Sequence, residues 1–301
     1  MANKMRVGFI GVGLMGHGMA KNIVEKGFPL TILAHRNRQP VDDLVGRGAV
    51  EARSPAELAA RSDLIFTCVT GSPQVEDVIL RADGVLAGLR SGAIVADAST
   101  AEPDSTLRVA AAVAAKGGRF VDTPLIRTPN EAELGRLGVI AGGEATVLAE
   151  IRPVLDTFAD LVVHAGGVGA GHRLKLINNY LALAVAAVTA ESVVTAIKTG
   201  VDLKALANVV TSGGADSVMF RRFSKYFLEG DDSLAKFAIV NAAKDVRYYT
   251  HMAESAPTTG FIAEAVHQSY LLANLQGYGE AYLPRLIDAL AAVNGIKRDK
   301  G

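Results

Sequence analysis

Short apolar runs alternate with helically spaced apolar positions through the first half of the chain. Runs at 6–10, 30–34, 64–69, 93–96, 119–121, 137–141 and 161–164 read as strands. Apolar positions three and four apart over 14–25, 55–61, 74–80, 104–115 and 145–158 read as helices between them. Strands that alternate with helices predict a mainly parallel sheet covered on both faces. The pattern changes at Ala165-Gly-Gly-Val-Gly-Ala-Gly171, which holds four glycines in seven residues. Beyond it only helical spacing is found, over 173–199, 203–211, 217–229, 234–255, 261–275 and after Tyr282. The expected organisation is an α/β domain over 1–166 followed by an all-α domain over 167–301.

Composition narrows the class. Half of the 301 residues are hydrophobic, and 31 basic residues balance 31 acidic ones. That neutrality argues against nucleic acid or an acidic membrane as the main partner, and leaves room for a local pocket for a small anion. The N-terminal apolar run is interrupted by Gly8, Gly11 and Gly13, unlike a secretory leader. The apolar stretch over 176–190 is broken by Asn178, Asn179 and Thr189, so a helix buried nearly all round in a soluble, cytoplasmic protein is expected, with no membrane span. Cys68 is the one cysteine, which excludes an intrachain disulfide, and its apolar surroundings read as a buried strand.

The first strand runs into Gly11-Val-Gly13-Leu14-Met15-Gly16, a G-x-G-x-x-G turn that opens a helix. Gly11 permits the tight turn, Gly13 lets backbone approach a pyrophosphate, and Gly16 lets helix pack on strand. Free N–H groups at the helix start suit the phosphates. This context predicts a dinucleotide-binding domain of Rossmann type, with Leu14 and Met15 in the phosphate turn. An NAD site ordinarily has an acid about 20 residues on, for the ribose. Here the second strand ends in His35-Arg36-Asn37-Arg38. Arg36 and Arg38 suit a 2′-phosphate, so NADP is expected and NAD remains possible; the alternative is a solvated basic loop.

The segment Gly169-Ala-Gly171-His-Arg-Leu-Lys175-Leu-Ile-Asn178-Asn179-Tyr180 is the richest in chemistry. Lys175, Asn178 and Asn179 stand at i, i+3 and i+4, near one face of an otherwise apolar helix. Buried without partners, they would be costly. Hydride transfer to an aldehyde places negative charge on its oxygen, and an ammonium can donate the proton there; a neutral amine takes it back in the oxidation direction. Lys175 is the candidate general acid and base, with Asn179 orienting it or binding a substrate hydroxyl. The competing reading is a lysine snorkelling to solvent at a helix end.

These motifs, with Asp97-Ala-Ser99-Thr100, Asp122-Thr-Pro124 and Lys244-Asp245, resemble the β-hydroxyacid dehydrogenase family along essentially the whole chain. The resemblance implies a nucleotide domain, a long helix between domains and an all-α domain that mediates oligomerisation, here a homodimer or homotetramer. It implies catalysis by Lys175 with Asn179, Ser99 beside nicotinamide and substrate, and cofactor contacts from Val69, Thr70 and Thr100. Lys244 would face the cofactor or substrate; on residues alone, Lys244 and Asp245 read equally as an exposed pair. The implied activity is NAD(P)-dependent interconversion of a small anionic β-hydroxy acid and its semialdehyde.

One segment departs from the family. Where Ser-Gly-Gly commonly holds the substrate carboxylate, this chain has Ile126-Arg127-Thr128. Arg127 offers a planar cationic fork and Thr128 a hydroxyl to an anionic head group. The segment resembles that of sulfolactaldehyde reductases, which makes a sulfonate the alternative to a carboxylate. Arg127 could instead pair with Glu131 or Glu133 and touch no substrate. Two further readings share the architecture, an imine reductase and a non-enzymatic NADP-binding module. Both ordinarily lack the lysine, so Lys175 counts against them.

Overall fold

The computed structural model describes residues 4–297. It contains a nine-stranded sheet, of which β1 (Val7–Ile10), β2 (Leu30–Leu33), β3 (Val50–Ala52), β4 (Leu64–Thr67), β5 (Ile94–Asp97) and β6 (Arg119–Asp122) are parallel, in the order 3-2-1-4-5-6. β7 (Leu125–Ile126) and β6 both run antiparallel to β8 (Leu137–Gly142), and β9 (Ala159–Gly166) runs parallel to β8. Asp122 pairs with Gly142, Leu125 with Val139 and Ile126 with Gly138, so β7 carries on the line of β6 as a ribbon against β8. Strands β3 and β7 are not evident in the apolar pattern, because one is three residues and the other two.

Helices α1 (Gly16–Glu25), α2 (Gln39–Gly46), α3 (Pro55–Ala60), α4 (Ser72–Leu80), α5 (Val85–Gly88) and α6 (Pro103–Ala115) link the parallel strands; α7 (Pro129–Glu133) and α8 (Ala145–Leu155) follow. Local signals set their starts. Ser54 accepts the Glu57 N–H at 3.1 Å while Pro55 occupies the first turn of α3. The central strands β1, β4 and β5 are buried on both faces, whereas β9 is largely exposed. Phe9, Phe66 and Phe158 are fully buried and in ring contact on one face, and Ile65, Val95 and Val109 fill the other.

The chain divides into two compact units, Met1–Lys175 and Leu176–Gly301. The long helix α9 (Ala170–Thr199) runs through the division. The second unit is helical, with α10 (Leu203–Thr211), α11 (Val218–Glu229), α12 (Ile239–Ser255), α13 (Phe261–Ala273) and α14 (Leu286–Val293) packed around Phe223, Ile239, Tyr270 and Leu286.

The start of α9 is held by Asp122, at the end of β6. Its fully buried carboxylate accepts the Gly169 N–H at 2.7 Å and the His172 N–H at 2.8 Å. A carboxylate at a helix N-terminus satisfies donors that have no partner inside the helix, and complements the helix dipole. A Cβ at Gly171 would stand 2.7 Å from Asp122 Oδ2 and 2.8 Å from the Ile140 carbonyl, so only glycine lets the helix approach this closely.

One expectation is corrected here. Helix α9 is not buried nearly all round: Leu181 is 61% and Val188 59% exposed, in an apolar stripe with Leu174, Ile177 and Val185. Uniform apolarity shows that a helix avoids water somewhere, but a single chain covers only part of this one. By length and composition α9 is also long and apolar enough to cross a membrane, a property shared by core helices of soluble proteins.

Replacing Asp122 by alanine leaves two buried amides unsatisfied. Asp122→Ala is expected to lower unfolding free energy by about 2–4 kcal/mol, read as a lower urea midpoint; an unchanged midpoint would remove the cap from the account.

Candidate active site

The strand order reverses between β1 and β4, and the loops that leave the carboxyl ends of β1, β4 and β5 open at this crevice. They carry Gly11 to Met15, Val69 with Thr70, and Ser99 with Thr100. Gly11 has φ +100°, and a Cβ there would lie 2.2 Å from the Cys68 carbonyl oxygen. At Gly13 an added Cβ would meet nothing within 4 Å. A tight turn closed from below and open above is the cradle that a pyrophosphate needs. Leu14, 78% exposed, stands at its rim.

Ser99 is held by its neighbours. Its N–H donates to Asp97 Oδ1 at 3.0 Å, and its Oγ accepts the Val69 N–H at 3.0 Å, which leaves the hydroxyl hydrogen for another acceptor. Thr67 donates to the same Asp97 oxygen at 2.8 Å. Cys68 lies just past β4 and is partly buried. Burial, with the nearby Asp97 charge adding, pushes its thiol up to about 12.

At the end of β2, His35, Arg36 and Arg38 are all exposed. Arg38 forms a fork with Glu51 of β3 at 2.7 and 3.0 Å, and also binds Asp42 at 2.8 Å. These bonds raise its pKa further. Arg36 makes no ion pair among the described residues.

On α9, Lys175 and Asn179 are half-buried and Asn178 is exposed. Asn179 donates from Nδ2 to Asp245 Oδ2 at 2.7 Å, and Asn178 donates to Asn179 Oδ1 at 3.3 Å. Asp245 is only 2% exposed, and its other oxygen forms an ion pair with the Lys244 ammonium 2.9 Å away. Lys244 also lies 5.0 Å from the centre of the Tyr248 ring. The carboxylate therefore fixes which end of the Asn179 amide faces it, since an ionised acid only accepts. The spacing of Lys175 and Asn179 was visible in sequence; Asp245 as partner of Asn179, 66 residues away, was not.

The ribbon carries Arg127 and Thr128 just beyond β7. Arg127 has φ +80°, the one non-glycine residue in that region among those described. It occupies a left-handed backbone where the family pattern has glycine, at a cost of about 1–2 kcal/mol. Its Nη1 donates to Asp160 at 2.5 Å and to the Arg136 carbonyl. Neither Glu131 nor Glu133 is its partner. Glu131 closes a capping box with Thr128 at the start of α7, and Glu133 binds His17 and Lys21.

Comparison with known proteins decides the family. Residues 6–167 match the NAD binding domain of 6-phosphogluconate dehydrogenase, and residues 169–290 the NAD-binding domain of NADP-dependent 3-hydroxyisobutyrate dehydrogenase. The chain belongs to the β-hydroxyacid dehydrogenase family. It is 32% identical to 3-sulfolactaldehyde reductase of Escherichia coli over 96% of this chain and 97% of that one. The crystal structure of 3-hydroxyisobutyrate dehydrogenase from Salmonella typhimurium superposes with a TM-score of 0.83 at 28% identity, covering 95% of this chain and 99% of that one. Psf3 in complex with NADP+ and 2-OPP gives 0.82 at 27% identity, over 94% and 99%. This member of the family is an NAD(P)-dependent oxidoreductase that interconverts a hydroxy acid and its semialdehyde.

A thiol titrating near 12 has almost no thiolate at pH 8. Iodoacetamide is expected to leave Cys68 of the folded protein unmodified while the urea-unfolded chain is alkylated within minutes, as read by intact mass. Equal rates would contradict this environment.

Proposed function

We propose that this enzyme reduces a small aldehyde with an anionic head group, and oxidises the matching β-hydroxy acid, with Lys175 as the proton donor and acceptor. One observation carries the reading. Lys175 stands in the second turn of a helix whose start is locked by Asp122 to the strand edge where Gly11 and Ser99 also lie. Bound nicotinamide supplies the hydride in one direction and accepts it in the other. Lysine is ordinarily an ammonium at neutral pH, so Lys175 protonates the aldehyde oxygen as charge develops there. In the reverse direction its neutral amine takes the hydroxyl proton, which makes oxidation faster in alkali.

The second N–H of Asn179 binds the substrate oxygen that Lys175 serves, and Asn178 flanks it. Ser99 gives its hydroxyl hydrogen to the head group or the nicotinamide amide. Gly11, Gly13, Leu14, Met15 and Gly16 hold the pyrophosphate, Val69, Thr70 and Thr100 line the cofactor, His35 flanks the ribose, and Lys244 meets the cofactor. Arg36 takes the 2′-phosphate, with Arg38 added when its bonds to Glu51 and Asp42 exchange for it. The head group is read by Arg127 and Thr128. Surface ion pairs such as Arg127–Asp160 contribute little, so a dianion or sulfonate displaces that contact readily. The E. coli relative's name makes sulfolactaldehyde the first aldehyde to test, ahead of succinic, tartronate and methylmalonate semialdehydes. The apolar stripe on α9 suits a homodimer or homotetramer in the cytoplasm.

Lys175→Ala is expected to lose at least about 1,000-fold in kcat while its Kd for NADPH stays within about threefold; a wild-type rate removes the proton-donor role. With the preferred aldehyde, Arg127→Ala should raise KM about tenfold or more and change kcat little. An unchanged KM would take Arg127 out of the site.

A further inference from the structure

His172 has no part in the chemistry proposed above, yet it is fully buried and bonded through both ring nitrogens. Nε2 lies 3.1 Å from the Ser99 carbonyl oxygen. A carbonyl only accepts, so Nε2 carries a hydrogen and donates it, whatever the state of Nδ1. Nδ1 lies 2.7 Å from Thr106 Oγ1 on α6, whose single hydroxyl hydrogen is also within reach of the Glu102 carbonyl at 3.0 Å. The ring stands between two buried carboxylates: Asp97 Oδ2 is 3.8 Å from Nε2, and Asp122 Oδ2 is 3.9 Å from Nδ1. Asp97 Oδ2 has no hydrogen-bond partner among the described residues.

Ser99 is thus held at three points. Its N–H is tied to Asp97 and its Oγ to Val69, both on the sheet side. The third, its carbonyl, is tied to α9 through His172. His172 and Lys175 are three residues apart, about one turn along the same helix face. A flipped or displaced ring would lose the Ser99 and Thr106 bonds together.

We propose that His172 is a positioning residue, whose Nε2–H bond to the Ser99 carbonyl sets the Ser99 hydroxyl in register with the helical turn that bears Lys175. The inference rests on the roles given above to Ser99 and Lys175. His172 touches neither substrate nor cofactor; it fixes the spacing of two groups that must meet one substrate. A misplacement of about 1 Å at such a pair costs on the order of 100-fold in rate.

Two amides of different reach provide the test. In His172→Gln the amide nitrogen extends to about where Nε2 stands and can still donate to Ser99. In His172→Asn it stops near the position of Nδ1. With the panel aldehyde that the wild type reduces best, the Asn variant is expected to lose about 30–100-fold in kcat. Its NADPH Kd should stay within about threefold, and the Gln variant should recover most of the rate. An Asn variant at wild-type kcat, or a Gln variant as slow as Asn, overturns the proposal. If circular dichroism shows either variant unfolded, Thr106→Val carries the test by freeing the other ring nitrogen. About a tenfold loss of kcat supports the role, and a wild-type rate overturns it. Hydrogen exchange of peptides covering 98–102 and 169–176 provides a readout without turnover: exchange should quicken in the Asn variant and not in the Gln variant. If the wild type reduces no aldehyde in the panel, the reading of Lys175 falls, while unchanged exchange in the Asn variant refutes the His172 bond independently.

Discussion

The carboxylate of Asp122 is the constraint on which the candidate site depends. Two amides of the α9 start, from Gly169 and His172, converge on it inside a dry part of the protein. Anchoring the first turn of a helix sets the direction of the side chains in the turn that follows. Lys175, in the next turn, inherits its placement from that anchor. The anchor in turn depends on Gly171, because any larger residue would push the helix off the ends of β6 and β8. The sequence signature G-x-G-x-x-x-K-x-x-N-N thus joins a mechanical part, the glycines, to the lysine and amides proposed to carry the chemistry.

Much of this was legible in the chain because it rests on local spacing. The phosphate turn, the alternation of strand and helix, and the polar face of α9 each lie within a dozen residues. What was not legible depends on contacts across the sequence. Glu51, on a three-residue strand that its pattern does not announce, takes the fork of Arg38. Asp160 and the Arg136 carbonyl take Arg127, where nearer glutamates were the expected partners. Asp245 holds Asn179 from another helix. The exposed stripe on α9 escaped for a different reason: apolarity reports a preference for leaving water, and the chain alone does not supply all of the cover.

On the proposed roles of Arg38 and Arg127, anion recognition is a matter of exchange. Arg38 and Arg127 already have internal carboxylate partners, and a ligand bound there would have to offer a better geometry than those partners do. Exposed pairs of this kind hold side chains in place at little energetic gain. That keeps a guanidinium ordered and still available, which reduces the entropy lost when a ligand is bound.

The ribbon formed by β6, β7 and β8 divides labour along its length. Its base, at Asp122 and Gly142, is locked to the start of α9; Arg127 and Thr128 lie beyond its other end. Arg127 keeps a glycine-like backbone while presenting a wholly different side chain. With the proposed roles of Arg127 and Lys175, mutations at the tip would retune which anion is welcomed without disturbing proton transfer at the root. Such an arrangement lets one scaffold diversify its diet while its chemistry stays constant.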